Sequence, residues 1–227
     1  MLARLWYGSS VRLCVFDLDH TLVHSPLDLA AMALDIRGYI ERTCGALPAR
    51  PERYRVGELI DWCSAHAPEI EKPVWAIALD HERRALAGAS LDPGARVAIA
   101  GARRAGYRTA IWTNNAREIT LLALEPFELA PAFDLIVTRD EMRALKPDPD
   151  GWRVIAEHFG IEPAGHAASY MVGDSWVDGL AATKAGVPFI AYRAKETDLT
   201  RWGVRPVAAL SDLAALPAWL ARADREE

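Results

Sequence analysis

Five short segments of this chain are apolar almost throughout: residues 12–17, 108–113, 135–138, 170–173 and 188–192. Each is bounded by Gly, Pro, Asn or Asp and rich in Val, Ile, Leu or aromatic residues, so each is predicted as a buried strand. Between them the apolar positions recur at helical spacing. Trp152, Ile155 and Phe159 share one face of a helix over 152–159, which Asp148 or Asp150 can cap and Gly160 ends. An Ala-rich helix over 179–185 closes at Gly186, and a terminal helix is expected over 210–221, with Pro217 as a break or kink. Wholly apolar strands alternating with helices predict a parallel sheet covered on both faces, an α/β fold of the Rossmann-like type.

One stretch departs from that alternation. Between Pro26 and Ala89 there is no convincing strand; three helical patterns appear instead, near 27–44, 56–67 and 74–87, punctuated by Pro48, Pro51, Pro68 and Pro73. This predicts an all-helical insert after the first strand. The expected organisation is a core of residues 1–23 and 92–227 and an insert of residues 24–91.

Composition narrows the function classes. At 227 residues, 51% apolar and 25% charged, the chain suits a soluble domain with a smaller insert. A net charge of −5 argues against a nucleic-acid partner. No apolar run reaches membrane-spanning length, and Arg4, Gly8 and Arg12 interrupt the first residues in a way unlike a secretory signal. Cys14, Cys44 and Cys63 are odd in number and widely spaced, so neither a disulfide framework nor a thiolate metal site is expected, and a reducing cytoplasm fits best.

The candidate chemistry sits at strand ends. Asp17 and Asp19 lie two apart after the first apolar run, and like charges that close must share a proton or meet a cation. In an open parallel sheet the ligand site lies beyond the carboxyl ends of the strands, where Asp17/Asp19, Thr113/Asn114 and Gly173/Asp174 all fall. Phosphoryl transfer needs such a set: a nucleophile, countercharge and a proton donor for the leaving oxygen.

Four motifs occur in order: Asp17-Leu18-Asp19-His20-Thr21, Ile111-Trp112-Thr113-Asn114, Lys146-Pro147-Asp148-Pro149 and Gly173-Asp174-Ser175-Trp176-Val177-Asp178. Together they resemble the four motifs of the haloacid dehalogenase (HAD) superfamily. The helical insert resembles the small cap of its phosphoglycolate phosphatase and β-phosphoglucomutase branch. The resemblance implies a Mg²⁺-dependent phosphatase of a small phosphorylated metabolite, working through an aspartyl phosphate. Asp17 would be the nucleophile, Asp19 the general acid and base, and Lys146 the countercharge. Thr113 and Asn114 would donate to phosphoryl oxygens. Asp17, the Asp19 carbonyl and Asp174 would bind Mg²⁺, with Asp178 orienting metal waters or Lys146. The intact Asp19 favours ester hydrolysis or mutase chemistry over dehalogenation. A phosphomutase and a non-enzymatic phospho-ligand binder are the alternatives. His20 stands where the family often has Gly, and no role carries over to it. Trp112 and Trp176 are expected to pack in the core, and the insert arginines (Arg37, Arg50, Arg53, Arg55, Arg83, Arg84) to form a solvated face.

Overall fold

The computed structural model describes residues 11–161 and 169–226. The chain divides into two compact units: residues 1–24 with 91–227, and Ser25–Ser90.

The larger unit is built on a six-stranded, all-parallel sheet. In chain order its strands are β1 (Leu13–Phe16), β4 (Arg108–Trp112), β5 (Leu135–Val137), β6 (Ser169–Gly173), β7 (Phe189–Tyr192) and β8 (Ala208–Leu210). Two further short strands, β2 (Val23–His24) and β3 (Ser90–Leu91), flank the second unit in sequence and pair with each other. The order across the sheet is β5-β4-β1-β6-β7-β8. β1 is central, with Phe16 in register with Ile111 on one side and Val172 on the other. The chain runs outward from β1 through β4 to β5, then returns to β6 on the opposite side. That reversal opens a crevice at the carboxyl ends of β1, β4 and β6.

The larger unit's helices are α4 (Ala95–Arg104), α5 (Arg117–Leu124), α6 (Asp150–Phe159), α7 (Trp176–Ala185), α8 (Glu196–Arg201) and α9 (Leu216–Glu226); the second unit holds α1 (Leu29–Cys44), α2 (Val56–His66) and α3 (Glu71–Ala85). Successive strand residues point to opposite faces. Leu13 and Val15 of β1 accordingly join Ala110, Trp112 and Met171 in one cluster with Trp152 and Ile155 of α6, Ala181 and Ala182 of α7 and Leu199 of α8. Elsewhere α4 packs against β4 and α9. Trp112 is fully buried, as its place in an apolar run implied, and its indole N–H donates to Met142 Sδ at 3.1 Å. Trp176 is half-buried and stacks on Trp202, with ring centroids 4.0 Å apart.

Several expectations are corrected. The sheet has a sixth strand, β8, which no expected strand covered and which ends at Leu210, the first residue of the expected terminal helix. The terminal helix starts only at Leu216, so Pro217 lies in its first turn, where a missing N–H leaves no intrahelical bond unmade. Helix α6 opens at Asp150 rather than Trp152, and the Asp148 carboxylate accepts the Asp150 N–H at 2.9 Å. Gly160 ends it in the left-handed region, φ 64°.

Within the second unit α1 packs against both α2 and α3. Its core includes Met32, Ile36, Ile40, Leu59, Ile60 and Val74. Three of its arginines are paired with carboxylates of the same unit: Arg37 with Glu41 at 2.8 Å, Arg50 with Glu58 at 2.5 Å and Arg84 with Asp80 at 2.9 Å. These pairs offset part of the basic character that the arginine count suggested.

Candidate active site

The carboxyl end of β1 delivers Asp17 directly after an entirely buried strand, and the side chain is itself buried. Its backbone N–H continues the parallel ladder to Val172 O at 2.9 Å, so sheet pairing fixes the Cα. The chain then turns sharply: Leu22 and Val23 both return their N–H groups to Leu18 O at 2.9 Å, and His20 donates to Val23 O at 2.8 Å. His20 takes the left-handed conformation, φ 56°, in that turn. This is the conformation glycine adopts most easily, which explains why a Gly suits the position. Here the exposed imidazole occupies it.

Lys146 lies at the centre of the constellation. Its side chain is buried, and Nζ donates to Asp17 Oδ1 at 2.6 Å, to Asp178 Oδ1 at 2.6 Å and to Trp112 O at 2.8 Å. All three ammonium protons are therefore used. Burial alone would favour the neutral amine, but the two carboxylates outweigh it and hold the ammonium well above its usual range.

Helix α7 begins at the carboxyl end of β6, with Ser175 as its N-cap. Asp178 completes a capping box, its Oδ2 accepting the Ser175 N–H at 3.2 Å and Oγ–H at 2.6 Å. Both Asp178 oxygens are thus engaged, one by the helix start and one by Lys146. Gly173 makes this fit possible, since a Cβ there would lie 2.6 Å from Asp178 Cβ.

Asp174 joins Asp17 and Asp178 in a group whose carboxylate oxygens lie within 4.8 Å of one another. Three carboxylates face one ammonium, and the electrostatics register the imbalance. Burial, then the Asp178 charge, raise Asp17 well above the ordinary carboxylate range despite Lys146. Asp174 is pushed up to about 7, again by burial first and Asp178 second. A hard, all-oxygen donor set with unbalanced negative charge fits a divalent cation such as Mg²⁺. Because Asp178 is committed to Lys146 and Ser175, Asp17 and Asp174 are the carboxylates with coordinating capacity left.

The carboxyl end of β4 brings Thr113, Asn114 and Asn115, and here the structure divides the residues differently from the sequence. Thr113 is buried, and its Oγ1 accepts the Asn115 N–H at 3.2 Å, which leaves the hydroxyl proton to be donated elsewhere. Asn114, expected to donate to phosphoryl oxygens, commits its side chain to the Lys146 backbone. Its Nδ2 donates to Lys146 O at 3.0 Å and its Oδ1 accepts the Lys146 N–H at 2.8 Å. Asn114 thus holds the lysine in place. Asn115, which sequence reasoning passed over, donates from Nδ2 to Asp19 Oδ2 at 2.5 Å. All three residues follow the end of β4 rather than continue it, so no strand periodicity marked Asn115 in advance.

At the other end of the same crossover, Asp92 is buried and accepts from Tyr192 Oη at 2.5 Å and the Gly94 N–H at 2.8 Å, with His24 Nε2 at 2.9 Å. Burial opposes its charge, but these partners prevail and hold the carboxyl below its ordinary range.

The chain is similar to known proteins. A family model described as haloacid dehalogenase-like hydrolase matches residues 11–186. A phosphoglycolate phosphatase of Rhodospirillum rubrum is 29% identical over 91% of this chain and 89% of its own length. One from Cereibacter sphaeroides (strain ATCC 17029) is 30% identical over 78% of this chain and 83% of its own. Among solved structures, CbbY from Rhodobacter sphaeroides in complex with phosphate has the same fold, with a TM-score of 0.63, 21% identity, and coverage of 91% of this chain and 96% of that one. No helix among the described residues is long and apolar enough to cross a membrane. A match from the first strand through α7 takes in every motif gathered at the sheet edge, and the chain belongs to the haloacid dehalogenase-like hydrolases.

Proposed function

We propose that this chain is a Mg²⁺-dependent phosphatase that hydrolyses a small phosphorylated metabolite through an aspartyl phosphate on Asp17. The observation that carries this reading is the buried Lys146 bridging Asp17 and Asp178, with Asp174 beside them and Asp19 two residues on. The Asp17 carboxylate attacks phosphorus. Lys146 works against burial in favour of the charged carboxylate and offsets the charge of an arriving phosphate. Thr113 has a hydroxyl proton to offer a phosphoryl oxygen. Asp19 protonates the departing oxygen, then takes a proton from the water that releases phosphate. Mg²⁺, held by Asp17, Asp174 and the Asp19 carbonyl, would supply the remaining charge neutralisation. Asp178 acts through Lys146 and Ser175.

The relatives named phosphoglycolate phosphatase make phosphoglycolate the first substrate to test. The purified protein with Mg²⁺ is expected to release phosphate from phosphoglycolate and from p-nitrophenyl phosphate, and to lose both activities on chelation and in Asp17→Asn. A folded, metal-loaded protein that releases phosphate from neither ester overturns the reading. Isomerisation of a sugar phosphate with little phosphate release would show the mutase chemistry instead.

A further inference from the structure

We propose that Asn115 is a positioning residue that aims Asp19 for proton transfer and fixes which of its oxygens carries the proton. This rests on the phosphatase reading above. Asn115 is 8% exposed, and its backbone is held from two sides: its N–H donates to Thr113 Oγ1 at 3.2 Å, and its carbonyl accepts the Arg139 N–H at 3.1 Å. Arg139 is anchored in turn, because it opens a short turn capped by Thr138 at the end of β5. The amide therefore projects from a framework tied to two strands. Its Nδ2 meets Asp19 Oδ2 at 2.5 Å, while Asp19 hangs on the tight turn after β1 and is half-buried.

The chemistry follows from what an amide nitrogen can do. Nδ2 only donates, so Oδ2 of Asp19 must be the accepting oxygen and the acidic proton belongs on Oδ1. As the Asp17–phosphorus bond forms, the bond from phosphorus to the leaving oxygen breaks and that oxygen takes the Oδ1 proton. In the second half, water gives its proton back to Asp19, its oxygen bonds to phosphorus, and the Asp17–phosphorus bond breaks. The carboxyl must keep one orientation through both halves, and a donor fixed at a neighbouring strand end can hold it there. Asn115 is placed to be that donor.

Leaving-group dependence separates this role from a structural one. For dinitrophenyl phosphate the departing phenolate needs no proton; for phosphoglycolate the departing alkoxide does. In Asn115→Ala, kcat/KM for phosphoglycolate is expected to fall on the order of 100-fold, while that for dinitrophenyl phosphate changes less than about threefold. Asn115→Asp, which keeps the shape but removes the donor, should show the same selective loss. In an Asp19→Ala background, Asn115→Ala should add nothing further for phosphoglycolate. Equal losses on both esters, or no loss on either, overturn the assignment while leaving the phosphatase reading intact. Wild-type protein inactive on both esters overturns the phosphatase reading itself and the assignment with it.

Discussion

Replacing Lys146 by Met tests the electrostatic logic of the site most directly. Nζ lies 2.6 Å from each of two buried carboxylates. At an effective dielectric constant near 20, each contact amounts to about 6 kcal/mol of gross attraction. Desolvation of the three ions, several kcal/mol apiece, offsets much of this, and breaking one member of such a set costs about 3–5 kcal/mol net. The cost should depend on pH. Without the ammonium, burial and the neighbouring Asp178 charge act on Asp17 unopposed, and it holds a proton that the unfolded chain has released. Because the folded state then binds more protons than the unfolded one, stability of the variant falls as pH rises above the ordinary carboxylate range. Urea unfolding of both proteins in EDTA at pH 5.5 and pH 8 measures this. The expected destabilisation is about 3–5 kcal/mol at pH 8 and distinctly smaller at pH 5.5. A loss under about 1 kcal/mol, or an equal loss at both pH values, would refute the reasoning.

The metal-free protein should carry a related signature, because Asp17 and Asp174 are raised, the latter to about 7. Its stability is expected to decline from about pH 4 to pH 7 as those protons are lost from the folded state, and Mg²⁺ should raise the melting temperature more at pH 8 than at pH 5; equal shifts would contradict a carboxylate metal site. Asp134 behaves in the opposite sense. Burial opposes its charge, but the Thr109 N–H, Arg108 and Arg103 hold it below its ordinary value, so its contribution is present above about pH 4 and lost as pH falls further. Asp134→Ala should therefore cost about 2 kcal/mol at neutral pH and progressively less in acid, as read from denaturant midpoints. A Cβ on Gly151 would lie 2.0 Å from Trp112 Nε1, so Gly151→Ala should destabilise by about 1–3 kcal/mol and perturb tryptophan fluorescence. An unchanged midpoint would show that Trp112 can move aside.

Much of the sheet was legible because its strands are apolar on both faces and end in turn-forming residues. Strand β8 was not, since Ala208 and Ala209 carry little β propensity and an edge strand needs only one partner. The start of α9 was misjudged for a related reason: proline breaks a helix interior but suits a first turn. At the site, the convergence of Asp17, Lys146, Asp174 and Asp178 could be anticipated from strand ends and motif order. The division of labour between two adjacent asparagines could not, because it depends on which side of a strand end each one faces. Asn114 faces the Lys146 backbone and Asn115 faces Asp19. Nothing in the composition of the pair distinguishes them.

The pairing of β2 with β3 bears on how the chain folds. Leu13 must find Arg108 across the entire helical segment, a contact whose loop-closure entropy would ordinarily slow the search. Val23–His24 and Ser90–Leu91 meet as a two-stranded ribbon, and Asp92 donates its N–H to Leu22 O at 2.9 Å. Once the intervening helices have folded and the ribbon has zipped, the open loop between β1 and β4 shrinks to the few residues of the turn after Asp17 and to α4. The central strand pair then has low effective contact order, and the largest interruption in the sequence becomes kinetically small.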